Sequence, residues 1–183
     1  MSIPAREAAD ALENIERAQR RSVSAFHDQM ASPHLILWGG IWMIGYSVSY
    51  LWTRGHLVWF ALAPAGFVAS WWIGRRRFKA KPRSFAWQYP STLLAVFLFV
   101  EGLFAIMPPK SGLQVAAFFP LLIALWYLLQ GIWTRAIRIC ALGLALGVLA
   151  VCGYLWLEPY FLLWMAGVGG GALVLGGLWM RGV

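Results

Sequence analysis

The stretch VFLFVEGLFAIM, residues 96–107, sets one carboxylic acid among aliphatic and aromatic side chains. A carboxyl group in such surroundings can carry a proton, hold a cation or bind a ligand, provided that polar partners reach it. The helical neighbours of Glu101 are Phe97, Leu98, Phe104 and Ala105, and none offers a hydrogen bond. Its partners must come from another segment or from water. The chain supplies several: Tyr46, Ser47, Ser49 and Tyr50 in the run YSVSY, His56 and Gln114 at the starts of two apolar stretches, and Lys110 shortly beyond the acid. With Glu101 these residues form a candidate polar pocket. Two uses of the acid compete, a structural hydrogen-bonded carboxyl and a site for a proton, ion or ligand.

A second cluster is basic. GRRRFKAKPR, residues 74–83, places Arg75, Arg76, Arg77, Lys79, Lys81 and Arg83 in one short loop. Bases beside an anionic membrane surface contribute about 1 kcal/mol each, so the loop is a candidate contact for anionic lipid headgroups. The competing reading is a plain determinant of membrane orientation.

The third candidate is the N-terminal segment, 1–31. It reads as an amphipathic helix with Leu12, Ile15, Phe26 and Met30 on its apolar side. Acids (Glu7, Asp10, Glu13, Glu16) precede bases (Arg17, Arg20, Arg21), which suits the helix dipole. The segment lacks the apolar core of a cleavable signal. It is expected either to rest on the rest of the protein as a solvated lead-in helix or to dock a cytoplasmic protein partner.

Other chemistries find no footing in the residues. Cys140 and Cys152 lie about 18 Å apart along one helix, too far for a disulfide. His27 and His34 lack the further ligands of a metal site. There is no nucleophile elbow, zinc-protease helix or nucleotide loop, and GVGGG (167–171) is followed by no Gly-Lys-Ser/Thr. No enzyme, cofactor or metal is expected.

The elements that must position these groups follow from composition. The chain is 61% hydrophobic and 12% charged, against about a quarter charged in soluble domains. Segments of about 20 apolar residues cross a bilayer as helices, since lipid offers the backbone no partners. Six stretches qualify on this reading: 35–52, 57–74, 85–107, 113–133, 139–157 and 160–180. The expected fold is all-α, a polytopic six-transmembrane-helix bundle (32–183) preceded by the cytoplasmic amphipathic helix. Glu101 would lie about 9 Å inside the third span.

Orientation follows from the bases. Threaded through six spans, Arg6, Arg17, Arg20, Arg21, the six loop bases, Arg135, Arg138 and Arg181 share one side, leaving Arg54 and Lys110 on the other. Positive loops stay cytoplasmic, so both termini are expected inside, with a bacterial inner membrane as the setting. The sequence pI near 10.1 then reflects this rule and not nucleic-acid binding, for which no reading motif is present.

Packing expectations complete the picture. Small residues let membrane helices approach, so Gly143 and Gly147 in the fifth span and Gly167 and Gly171 in the sixth, with Gly169, Gly170, Gly176 and Gly177 alongside, are expected to form a tight hairpin. Pro64 and Pro120 each remove a helical hydrogen bond. The tryptophans sort mostly to the span ends, with Trp126 near mid-span as a packing residue. Functionally, the sequence favours a non-enzymatic sensor, regulatory or accessory subunit coupled through its N-terminal helix, free to form homo-oligomers. The alternative is a small-solute or proton-linked transporter built on Glu101.

Overall fold

The structure, a computed structural model, describes residues 31–77 and 88–181, and these are helical with short connections. Helix α1 runs over 31–51 and turns through a 3-10 segment, Gly55–Val58, into α2, Trp59–Arg77. Helix α3 spans Gln88–Ile106, α4 Gly112–Thr134 and α5 Ile137–Trp156. A 3-10 turn, Glu158–Tyr160, leads into α6, Phe161–Trp164. This helix passes through a π-helical turn, Met165–Gly169, into α7, Gly170–Arg181.

Among the described residues four helices are long and apolar enough to cross a membrane: Gly55–Arg76, Gly112–Thr134, Ile137–Trp156 and Glu158–Arg181. The third expected span contains a shorter apolar helical stretch, Leu94–Ile106. Helix α1 is diluted by His34 and by Tyr46, Ser47, Ser49 and Tyr50, the last four being members of the candidate polar pocket. Helix ends follow local chemistry. Ser111 caps α4, its Oγ accepting the Gln114 N–H at 3.2 Å, while Gln114 Oε1 accepts the Lys110 N–H at 2.7 Å. The pair resembles a capping box displaced by one residue. At the other end Arg135 adopts a left-handed conformation (φ 54°). The Ala136 N–H reaches Gly131 O at 2.9 Å and the Arg135 N–H reaches Ile132 O at 3.3 Å. This Schellman closure turns the chain directly into α5.

Helices α4 and α5 pack closely along their length. Gly131 lies against the backbone of Cys140, and Gly143 against Ala124 and Leu128, leaving no room for a side chain at either position. Helix α7 packs antiparallel on α1. Gly39 abuts Gly170 and Val174, Gly177 abuts Ser32, Leu35 and Ile36, and the buried Ser32 Oγ donates to Gly177 O at 2.6 Å. The π turn keeps Met165, Gly169, Leu173 and Gly177 turned inward. Leu35, Trp42, Leu146, Phe161, Met165 and Leu173 fill the core between these helices.

The glycine expectation is corrected in part: the fifth and sixth spans do meet, with Gly176 against Leu142 of α5, but other glycines of the set face elsewhere. Gly143 and Gly147 of the fifth span face α4, not the sixth span, and a Cβ at Gly167 or Gly171 would meet only open space. The hairpin between α5 and α6 closes differently, with the Trp164 ring over Gly153 and its Nε1 donating to Leu149 O at 2.9 Å. The small-residue seam lies instead between α1 and α7. Trp126 is likewise corrected: its side chain is half exposed on the outside of α4, whereas Trp42 is buried.

Helix α2 packs on α1 through Trp38, whose Nε1 donates to Ser70 Oγ at 3.1 Å, and through Gly66, which accommodates Ile41 and Trp38. Helix α3 is marginal to this arrangement. Val100 is buried and Phe104 meets Phe118 of α4 edge-on at 5.1 Å, but Leu94, Phe97, Leu98, Phe99 and Ile106 are exposed.

Candidate functional site

The polar residues near the α1–α2 turn are held in two small networks. In the first, the Tyr46 hydroxyl donates to Ala116 O on α4 at 2.9 Å. The Tyr46 ring stands edge-on to Trp42 at 5.7 Å and to Trp59 at 5.1 Å. Trp59 Nε1 in turn donates to Ser49 Oγ at 3.2 Å, and the Trp59 ring lies against Gly45. This chain of contacts joins α1, α2 and α4. Its position follows from Pro120: a proline has no N–H, so the carbonyl four residues earlier, Ala116, loses its helical partner. Tyr46 supplies the missing donor.

The second network is the Ser111–Gln114–Lys110 cap at the start of α4. Thus Tyr46 and Ser49 are brought together through Trp59, and Gln114 is joined to Lys110. Ser47 is half-buried, and Tyr50 and His56 are exposed. Glu101 stands on an exposed side of α3, and among the described residues no hydrogen bond or ion pair joins it to another candidate. The Tyr46 hydroxyl and the Trp59 indole satisfy partners between helices, and the Ser111 and Gln114 side chains satisfy the backbone at the start of α4. Such bonds lock a helical bundle, since a polar group in an apolar interior is costly unless paired.

The basic cluster is described at its first two residues. The Arg75 guanidinium lies over the Trp71 ring at 4.1 Å and that of Arg76 over the Trp72 ring at 3.6 Å. Both rings are about half exposed (48% and 51%), so each tryptophan presents its arginine on the outer surface. The spacing of four residues puts each pair on one helical face, a signal present in the run WWIGRRR. Lys79, Lys81 and Arg83 lie outside the described residues, as do the docking candidates Leu12, Ile15, Phe26 and Met30.

An open groove of about 340 Å³ between α4 and α5 is lined by Leu121, Leu128, Leu144, Gly147, Val148, Val151 and Cys152, with no polar surface. Among the described residues no group of three or more His, Cys, Asp or Glu side chains is placed to hold a metal, and both cysteines are free.

Interhelical polar locks and helices of membrane-crossing length and hydrophobicity define an all-helical integral membrane protein. No protein-family model, curated protein or solved structure matches the chain.

Proposed function

We propose that the chain crosses the membrane six times with both termini cytoplasmic, in a bacterial inner membrane, and acts as a non-enzymatic sensor, regulatory or accessory subunit. Its partner is a cytoplasmic protein engaged through residues 1–31. The observation that carries this reading is the use of the polar side chains. Tyr46, Ser49, Gln114, Ser32 and Ser70 each complete a contact that holds helices or helix ends in place. The bundle is thus built as a scaffold, and the longest stretch of sequence that combines charges of both signs with an amphipathic pattern is the N-terminal segment. The paired Arg75–Trp71 and Arg76–Trp72 contacts support anionic headgroups as the lipid partners at the cytoplasmic face.

Two variants separate this function from proton-linked transport. Full-length protein, a form lacking residues 1–25 and Glu101→Gln are purified from native membranes with their associated proteins and are also reconstituted into vesicles. A regulator loses its cytoplasmic partner on truncation and keeps it with Glu101→Gln. Solute or proton uptake that survives truncation and is abolished by Glu101→Gln overturns the proposal in favour of transport.

A further inference from the structure

The groove between α4 and α5 opens outward along two helices that are each long and apolar enough to cross a membrane. Leu121 and Leu128 line it from α4, Leu144 and Val148 from α5. Gly147 lines it too, and a Cβ there would stand 3.5 Å from the Ala124 Cβ, an ordinary contact. The absent side chain is therefore part of what leaves the space. No polar atom faces the groove, so water finds no partner in it. Acyl chains of the surrounding bilayer fill it. Hydrocarbon alone would come and go, because a lipid tail gains no hydrophobic advantage by exchanging other tails for leucines. A molecule that stays needs a polar anchor at the membrane surface.

Arg135 supplies one. It follows Leu128 by seven residues, as Leu128 follows Leu121, so the three keep nearly one side of α4. Its side chain is exposed, and among the described residues no carboxylate pairs with it. Ile132 (60% exposed) on α4 and Ile137 (77%) on α5 continue the apolar surface between groove and guanidinium. Arg138, its guanidinium over the Trp179 ring at 5.0 Å, adds a second positive charge at the turn. Residues 111–157 contain no Asp or Glu, so this end of the helix pair favours an anionic headgroup. The depths agree as well. At 1.5 Å per residue the groove runs from about 10 to about 21 Å below Arg135. One leaflet measures about 20–22 Å from headgroups to midplane, about 15 Å of it hydrocarbon. The groove thus lies where the terminal half of an acyl chain falls when its phosphate is level with Arg135. We propose that the α4–α5 groove and Arg135 form a binding site for one anionic phospholipid, its chain along Leu128 and Leu121 and its phosphate on the guanidinium. The site is separate from the bases of α2. It requires only that α4 and α5 cross the membrane, and so stands apart from the regulatory reading.

Full-length protein in mixed bilayers of phosphatidylglycerol and phosphatidylcholine tests it, with retained phosphatidylglycerol counted by native mass spectrometry. Arg135→Gln is expected to lower the occupancy of one retained molecule about fivefold at low salt. Gly147→Leu fills the groove without changing charge and is expected to displace the same molecule. The double variant then loses one lipid, not two. Gly171→Leu, which adds bulk over open space on another helix, leaves the count unchanged. A phosphatidylglycerol with a photoreactive group near its chain terminus gives a reading on the unaltered protein, independent of how any variant folds. Its cross-links are expected at 121–128 and 144–152. Cross-links spread evenly over the exposed apolar residues of α2, α3 and α7, retention indifferent to Gly147→Leu, or loss of two lipids in the double variant would overturn the proposal.

Discussion

Tyr46 of α1 donates its hydroxyl to the backbone carbonyl that Pro120 of α4 leaves without a partner, Ala116 O, at 2.9 Å. The relationship couples a sequence feature that weakens one helix to a side chain on another. Pro120 is itself buried, so water is kept from the opened turn, and the hydroxyl is the donor that reaches it. Tyr46 thereby fastens α1 to the closely packed α4–α5 pair.

Tyr46→Phe is expected to destabilise the folded protein by about 1–2 kcal/mol, since it removes a buried bond and leaves the carbonyl unsatisfied. In a Pro120→Ala background the helix regains its own N–H, and the same change should cost less. A double-mutant cycle read by thermal unfolding in detergent measures the coupling. Strict additivity of the two changes would show that the hydroxyl and the proline are energetically unrelated.

The α1–α7 seam makes a second, contrasting prediction. A Cβ at Gly39 would stand 2.7 Å from Gly170 O, and one at Gly177 would stand 2.9 Å from Ser32 O, both backbone atoms. Gly39→Leu and Gly177→Leu are therefore expected to separate the helices and cost about 2–3 kcal/mol or more. Gly171→Leu, four residues from Gly167 and with nothing nearby, should leave the melting temperature within about a degree of the parent. Ser32→Ala should cost about 1 kcal/mol through loss of its bond to Gly177 O. Comparable losses at Gly39 and Gly171 would mean that the seam has been misplaced.

This contrast shows where the sequence was informative. The ends of α4 were readable because Lys110 and Arg135 flank a mostly apolar run: 113–133 was expected and Gly112–Thr134 found. The partner of each helix was not readable. Membrane helices are apolar on nearly every side, so hydrophobic periodicity does not say which side meets a neighbour. Gly143 and Gly167 look alike in sequence, yet one touches α4 and the other faces outward, a distinction set by the order of helices around the bundle. The same limit applied to the polar residues. Tyr46, Ser49, Glu101 and Gln114 were legible as unusual, and Pro120 as a source of an unpaired carbonyl. That Tyr46 would serve Pro120 and Gln114 would cap its own helix required the three-dimensional arrangement.

Arg135 offers a test of local backbone strain. It holds φ at 54°, where a side chain crowds the following carbonyl, and it closes α4 as glycine commonly does. Arg135→Gly should raise stability by about 1 kcal/mol, and Arg135→Val, branched at Cβ, should lower it by more. Unfolding in detergent reads both. An unchanged or lower melting point for the glycine variant would show that the arginine side chain contributes more than its backbone conformation costs.

The C-terminal end of α2 carries the last prediction. Stacking on Trp71 and Trp72 holds the Arg75 and Arg76 guanidinium groups at the surface, where each can pair with a phosphate. With about 1 kcal/mol per base, Arg75→Gln with Arg76→Gln should lower the preference for anionic over zwitterionic lipid about thirtyfold at low salt. The contrast should shrink at high salt, because exposed charges are screened within about 10 Å at 0.1 M. Trp71→Leu with Trp72→Leu keeps both charges but frees the guanidinium groups, so it should give a smaller loss. Lipids retained on the purified protein, counted by native mass spectrometry in mixed bilayers, report the outcome. A lipid profile unchanged by the arginine substitutions, accompanied by inverted labelling of a cysteine at position 78 in intact cells, would show that these bases orient the chain and bind nothing.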